Sequence, residues 1–192
     1  MNAVILVGGK SSRMGTNKAF LELKGKTFIE LQIELLREMF DEISISANTP
    51  SEYEYLNLPI FKDIYPGKGP LGGIYTSLIN SSSLHTFMLA CDMPFVGPEL
   101  IKHLKDLTKE YDVVIPKSEN GLEPLHAFYS KNCIEPIKRE LDDNNLRIRS
   151  FFPQVNVKIV ELDSLASSDH FKNSIKNLNT MADYEDVTEN NC

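Results

Sequence analysis

Cysteine is scarce in this chain and badly spaced for its common structural uses. Cys91, Cys133 and Cys192 are odd in number, and no two have the short spacing of a zinc site or a redox pair. Reduced thiols in a cytoplasmic protein are the expectation. Long apolar runs are also missing. The opening MNAVILVGG is too short for a secretion signal or a membrane span, so no membrane partner is expected. Basic charge is outweighed: 20 Lys and Arg against 27 Asp and Glu give a net charge of −7, which argues against sequence-blind nucleic-acid binding. There is no internal repeat, low-complexity tract or Pro/Ser-rich linker. What remains is ordinary globular composition, 42% apolar and 24% charged. A single domain over residues 1–192 is expected, working as a monomer.

Periodicity then gives the elements. Residues 3–7 (AVILV) are continuously apolar and end in Gly8-Gly9, the pattern of a strand buried on both faces. A polar loop follows to about Asn17. Thr27 and Glu30 form a capping box, ahead of apolar positions Phe28, Ile29, Leu31, Leu35, Leu36 and Met39 on an amphipathic helix. Further strands are predicted at 42–47, 59–62, 86–90, 112–115, 125–129 and 155–162. Helices are predicted from about Leu71, from Pro98 and over 131–141, where Pro136 is an irregularity. Thr180 is read as the cap of a last short helix through Tyr184. Alternating strands and helices predict a three-layer α/β/α fold around a mainly parallel sheet.

One short stretch breaks the acidic trend. Lys10, Arg13, Lys18, Lys24 and Lys26 lie close together, with only Glu22 among them. They fall in and after the loop leaving the first strand, LVGGKSSRMG followed by Asn17-Lys18. In open α/β sheets ligands bind beyond the carboxyl ends of strands. Gly8 and Gly9 would let a base or phosphate approach the backbone, and consecutive amides in such a loop make an anion site. Arg13 offers a fork of donors to phosphate oxygens, and Lys18 a compact charge. For a bare Gly-Gly pair, a solvated turn is the alternative. Neither the P-loop order nor G-x-G-x-x-G occurs, which excludes a P-loop hydrolase.

Asp92 follows the apolar strand 86–90. A carboxylate there is costly to bury alone, and Mg²⁺ is a natural partner because it takes one or two carboxylates with substrate phosphates. Capping the turn before Pro94 is its alternative role. Asp63 sits similarly after a short strand, where turn formation competes. His126, beside Leu125 and Phe128, reads as structural. His85, His103 and His170 have no metal-like spacing.

These motifs together resemble the molybdenum cofactor guanylyltransferases, the MobA family of Rossmann-like nucleotidyltransferases. The resemblance rests on LVGGKSSRMG with Lys18, on Ser46-Ala-Asn48, Asp63, Gly69-Pro-Leu-Gly-Gly73 and Cys91-Asp-Met-Pro94, and on Asn177-Leu-Asn-Thr180. It implies transfer of GMP from GTP to the phosphate of Mo-molybdopterin, with Mg²⁺ as the cofactor. By resemblance, Leu6, Val7 and Gly8 line the GTP site, Gly9, Arg13 and Gly15 complete the loop, and Lys18 meets the triphosphate. Asp63 holds the nucleotide with Asn48 nearby. Asp92 binds nucleotide and metal, and Asn177 and Asn179 line the far side. Arg13, Lys18 and Asp92 are thus the candidate catalytic residues. Val7 stands where alanine is commoner, and Ser46 where some members have asparagine. Arg147 and Arg149 are candidates for the acceptor's phosphate, with a solvated surface as the alternative. The family also implies contact with other proteins of cofactor assembly. Three other assignments stay open: cytidylyl transfer to the same acceptor, transfer to a sugar phosphate, and a GTP-binding regulatory module without turnover.

Overall fold

The computed structural model describes residues 1–8, 18–23, 25–165, 171–172, 174–176 and 184. Its strands are β1 (Asn2–Leu6), β2 (Glu22–Leu23), β3 (Lys26–Thr27), β4 (Glu42–Ser46), β5 (Ile60–Phe61), β6 (His85–Ala90), β7 (Val113–Ser118), β8 (Gly121–Leu122), β9 (His126–Ser130) and β10 (Val157–Glu161). The α-helices are α1 (Phe28–Arg37), α2 (Gly69–Asn80), α3 (Pro98–Leu107) and α4 (Ile134–Asp142).

Eight strands form one sheet in the order β10-β7-β9-β6-β1-β4-β5, with β8 paired to β7, while β2 and β3 form a separate hairpin. β1 runs parallel to both β4 and β6, and β5 is parallel to β4. β9 is antiparallel to β6 and β7. The sheet is therefore mainly parallel, with β8 and β9 reversed. The chain leaves β1 toward β4 and β5, then returns through α2 to β6 on the other side. β1 is thus a topological switch point, where adjacent strand ends diverge and leave a crevice.

The apolar run of β1 is divided between two cores. Ala3 and Ile5 join one with Ile29, Ile33 and Leu36 of α1 and Leu100, Ile101 and Leu104 of α3. Val4 joins the other with Leu71, Ile74 and Leu78 of α2 and Ile137 of α4. Helices cover both faces, which is why this strand reads as continuously apolar rather than alternating.

The capping box starts α1 as the sequence predicts: Glu30 N–H donates to Thr27, and Thr27 N–H donates to the Glu30 carboxylate at 2.8 Å. α2 begins at Gly69, with Pro70 in its first turn. Pro136 likewise falls in the first turn of α4, where a missing N–H breaks no helical bond, so the helix survives it. Residues 131–133, expected as α-helix, form a 3₁₀ turn instead. β7 runs on through Pro116 to Ser118, beyond the predicted end at Ile115. Thr180, the expected cap of the last helix, lies outside the described residues.

Candidate active site

The carboxyl ends of β1, β4, β5 and β6 share one edge of the sheet, and a cavity of about 590 Å³ opens there. That volume suits a small-molecule ligand. Leu6, Val7 and Gly8 line it from β1, Ser46 and Asn48 from β4, Asp63 from beyond β5, and Cys91 and Asp92 from beyond β6. Lys18 closes another side, and Gly67, Gly69, Pro70 and Gly73 of α2 and its approach complete it.

Each wall has a local cause. Val7 N–H donates to the Ser46 carbonyl at 3.0 Å, extending the β1–β4 ladder to the cavity. Gly8 then turns away at φ +129°, in backbone space that side chains rarely occupy. α2 lies close over the strand ends because Gly73 has no side chain. A Cβ there would come within 2.8 Å of the Leu6 side chain and within 3.6 Å of Ser46 Oγ.

Two polar clusters face each other across the crevice. Asn48 Nδ2 donates to Asp63 Oδ2 at 2.8 Å, and Ser46 Oγ donates to Asp63 Oδ1 at 3.4 Å. Asp63 is anchored in turn, because the next residue, Ile64, donates its N–H to Thr76 Oγ1 of α2 at 2.9 Å. On the other side Lys18 Nζ donates to Asp92 Oδ2 at 3.0 Å, with the two side chains only 17% and 25% exposed. Lys18 is carried on a 3₁₀ turn, Lys18–Phe20, whose Ala19 is fully buried and whose Phe20 stacks on Tyr53 at 5.3 Å.

Asp92 follows β6 in a tight turn: Met93 N–H reaches the Ala90 carbonyl at 3.4 Å, and Cys91 and Asp92 are its two central residues. The Cys91 thiol lines the cavity, but burial, with Asp92 adding to it, pushes its pKa up to about 12. A thiol this hard to ionise is not a nucleophile at neutral pH. Glu123 has its carboxyl raised by burial, with a smaller contribution from Asp92, and accepts from Ser118 Oγ at 3.2 Å. Among the described residues no group of three or more His, Cys, Asp and Glu is placed to hold a metal ion. Asp92 offers a single hard oxygen ligand beside a lysine, which matches an ion taken up together with phosphate oxygens and not one caged by protein alone.

The structure thus brings Leu6, Val7, Gly8, Lys18, Asn48, Asp63 and Asp92 around one cavity. Gly9, Arg13, Gly15, Asn177 and Asn179 lie outside the described residues. Arg147 and Arg149 are exposed and do not line the cavity. Their loop is nevertheless tied to its rim, since Lys68 Nζ donates to Asn144 Oδ1 at 2.8 Å and Tyr65 donates its hydroxyl proton to Asp142 at 3.0 Å. Sequence reasoning quoted Cys91 only as part of the Cys91–Pro94 motif and did not pick out Leu125 or Glu123 near the site. It also passed over Gln32, a buried polar residue in the apolar stripe of α1.

An open α/β sheet with a cavity at its switch point, glycine backbone on one wall and a Lys–Asp pair on another has the layout of a ligand-binding doubly wound protein, and its family model makes it a nucleotidyltransferase. Residues 3–157 match the model of the MobA-like NTP transferase domain, and the chain belongs to that family. It is 40% identical over 190 residues to a Clostridium perfringens protein named "Probable molybdenum cofactor guanylyltransferase", covering 97% of this chain and 95% of that one. It is 33% identical over 187 residues to the "Molybdenum cofactor guanylyltransferase" of Desulfosudis oleivorans, covering 96% and 93%. Among solved structures it resembles molybdopterin-guanine dinucleotide biosynthesis protein A from Archaeoglobus fulgidus, with a TM-score of 0.84, 27% identity and coverage of 98% and 97%.

Proposed function

We propose that this protein transfers GMP from GTP to the terminal phosphate of Mo-molybdopterin, forming the guanine dinucleotide and releasing pyrophosphate. The observation that carries this is the single cavity in which the β1 exit, the Asn48–Asp63 pair and the Lys18–Asp92 pair converge. The names of the relatives supply the base and the acceptor.

In this reading the acceptor phosphate attacks the α-phosphorus of GTP and pyrophosphate leaves. The nucleophile is already ionised, so no covalent protein intermediate is required. What the protein contributes is in-line placement and neutralisation of charge. The Gly8 backbone lets the nucleotide lie close to the β1 exit. Asn48 and Asp63, already bonded to each other, present fixed polar edges to the nucleoside. Lys18 would exchange its hold on Asp92 for the triphosphate, with Arg13 acting beside it. By the family resemblance, Gly9 and Gly15 would complete the loop, and Asn177 and Asn179 would line the far side. Asp92 would hold Mg²⁺, which supplies charge neutralisation at the phosphates. The reading places the chain in the cytoplasm as a monomer that meets other cofactor-assembly proteins. No described helix is long and apolar enough to cross a membrane.

The test is nucleotide selection. GTP with Mg²⁺ should raise the melting temperature and, with molybdopterin present, release pyrophosphate, while CTP, ATP and UTP should do neither. CTP outperforming GTP would move the assignment to cytidylyl transfer. GTP binding without pyrophosphate release would make the chain a regulatory module. Asp92→Ala with undiminished turnover in Mg²⁺ would remove the role given to Asp92.

A further inference from the structure

Gln32 occupies the middle of the apolar face of α1, among Phe28, Ile29, Ile33 and Leu36, and is only 1% exposed. Its Nε2 donates to two carbonyls: Ala90 at 2.8 Å and Met93 at 2.9 Å. Those are the first and last residues of the four-residue turn that has Cys91 and Asp92 at its centre. A turn of this kind is ordinarily closed by one bond between its end residues, and here that bond is long, 3.4 Å from Met93 N to the Ala90 carbonyl. One amide group from a different element spans both ends of it.

The arrangement carries a cost. Gln32 Oε1 is buried with no hydrogen-bond partner among the described residues. An unpaired buried acceptor is unfavourable, and leucine or methionine would fill the same space without it. Packing therefore does not account for glutamine here, whereas the two Nε2 bonds do.

We infer that Gln32 is a positioning residue: it holds the Ala90–Met93 turn in the shape that aims the Asp92 carboxylate at Lys18 and the cavity. The inference rests on the role given to Asp92 above. It assigns to α1, a helix that does not line the cavity, control over the one described carboxylate beside Lys18. Because α1 is capped at Thr27 and Phe28 N–H donates to the Leu21 carbonyl at 2.9 Å, the same helix also anchors the segment bearing Lys18. Both members of the Lys18–Asp92 pair are thus referenced to one rigid element, and their 3.0 Å separation follows from that common frame.

The test uses the full chain. In the wild-type protein the two Gln32 side-chain amide protons should be protected from exchange with water and resolved by NMR. Exchange at the rate of an exposed amide would overturn the inference whatever the variants do. Gln32→Met keeps the volume and removes both donors. It should remain cooperatively folded, speed backbone amide exchange at 91–93 while leaving 87–89 unchanged, and weaken Mn²⁺ uptake with GTP as read by electron paramagnetic resonance. Turnover should fall by about 10- to 100-fold, with KM for GTP changing far less, because small misplacements of a reacting group act on the transition state. Wild-type exchange at 91–93 and full turnover in the Met variant would refute the clamp. Asp92→Ala run alongside separates the two layers. Full activity there defeats the role of Asp92, whereas an inactive Asp92→Ala beside a fully active Gln32→Met defeats only the positioning.

Discussion

His126 begins β9 with its ring wholly buried, edge-on to Phe87 at 5.1 Å between centroids. Neither ring nitrogen has a hydrogen-bond partner among the described residues. Burial alone pushes its pKa down from 6.5 to about 3. The unfolded chain therefore takes up a proton near pH 6.5 that the folded protein refuses until about pH 3, and stability must fall as pH drops through that window. At about 1.36 kcal/mol per pH unit, the loss reaches roughly 2 kcal/mol by pH 5 and has a ceiling of about 5 kcal/mol near pH 3. Against a typical total of about 5–15 kcal/mol, the effect at pH 5 is measurable and not fatal. The perturbation is His126→Phe, which keeps an aromatic ring against Phe87 and removes the titration. Urea unfolding at pH 7.5 and pH 5 should show the wild type losing about 2 kcal/mol more than the variant on acidification. Any packing penalty of the variant is independent of pH and cancels in that comparison. Equal losses in the two proteins would mean that His126 titrates normally in the fold, and the reasoning would fail.

Other expectations follow from the site and its supports. Lys18→Met should lower kcat by about 100-fold at saturating GTP and Mg²⁺ while leaving the melting temperature near wild type, since an oriented cation at developing charge is worth that much. Gly73→Val should press on Leu6 and Ser46 and shrink the nucleotide space, so that KM for GTP rises by about tenfold or more, measured by pyrophosphate release. Asp63→Ala should weaken GTP binding by about tenfold in calorimetry, because Asn48 loses the carboxylate that orients it. Asp112 feels burial raising its pKa, but bonds from Asn156, Asn132 and Ser130 outweigh this and leave it below the usual carboxylate range. Its contribution is present above the unfolded carboxylate pKa and disappears as pH falls through the lower folded one. Asp112→Asn should therefore flatten the acid limb of the urea-midpoint profile below about pH 4.

Much of the fold was legible because its signals are local. The doubly buried run of β1, the Thr27–Glu30 box and the Gly97-Pro98 start of α3 each state their conformation within a few residues. β7 carries Pro116 past the predicted end at Ile115, although proline lacks the N–H a strand needs. β7 tolerates it because β8 pairs with residues 117 and 118 and the Pro116 carbonyl accepts from Glu123 N–H. The β2–β3 hairpin was hidden by strands of two residues, too short for a period to show; only Gly25, at φ +79°, betrays it. At the site, residues that follow strand ends could be named from sequence, because the exit of a parallel strand is where ligands lie. Gln32 could not. A polar residue in an apolar stripe reads as noise until folding brings carbonyls 58 and 61 residues away within reach of it. Glu123 was equally silent, since its link to Asp92 depends on β9 lying next to β6.

The most direct measurement is the product itself. Purified protein incubated with Mo-molybdopterin, GTP and Mg²⁺ should yield molybdopterin guanine dinucleotide by mass spectrometry, with one pyrophosphate released per molecule formed and neither appearing when GTP is omitted. Dinucleotide formed only from another nucleoside triphosphate, or none with intact acceptor and bound GTP, would contradict the assignment.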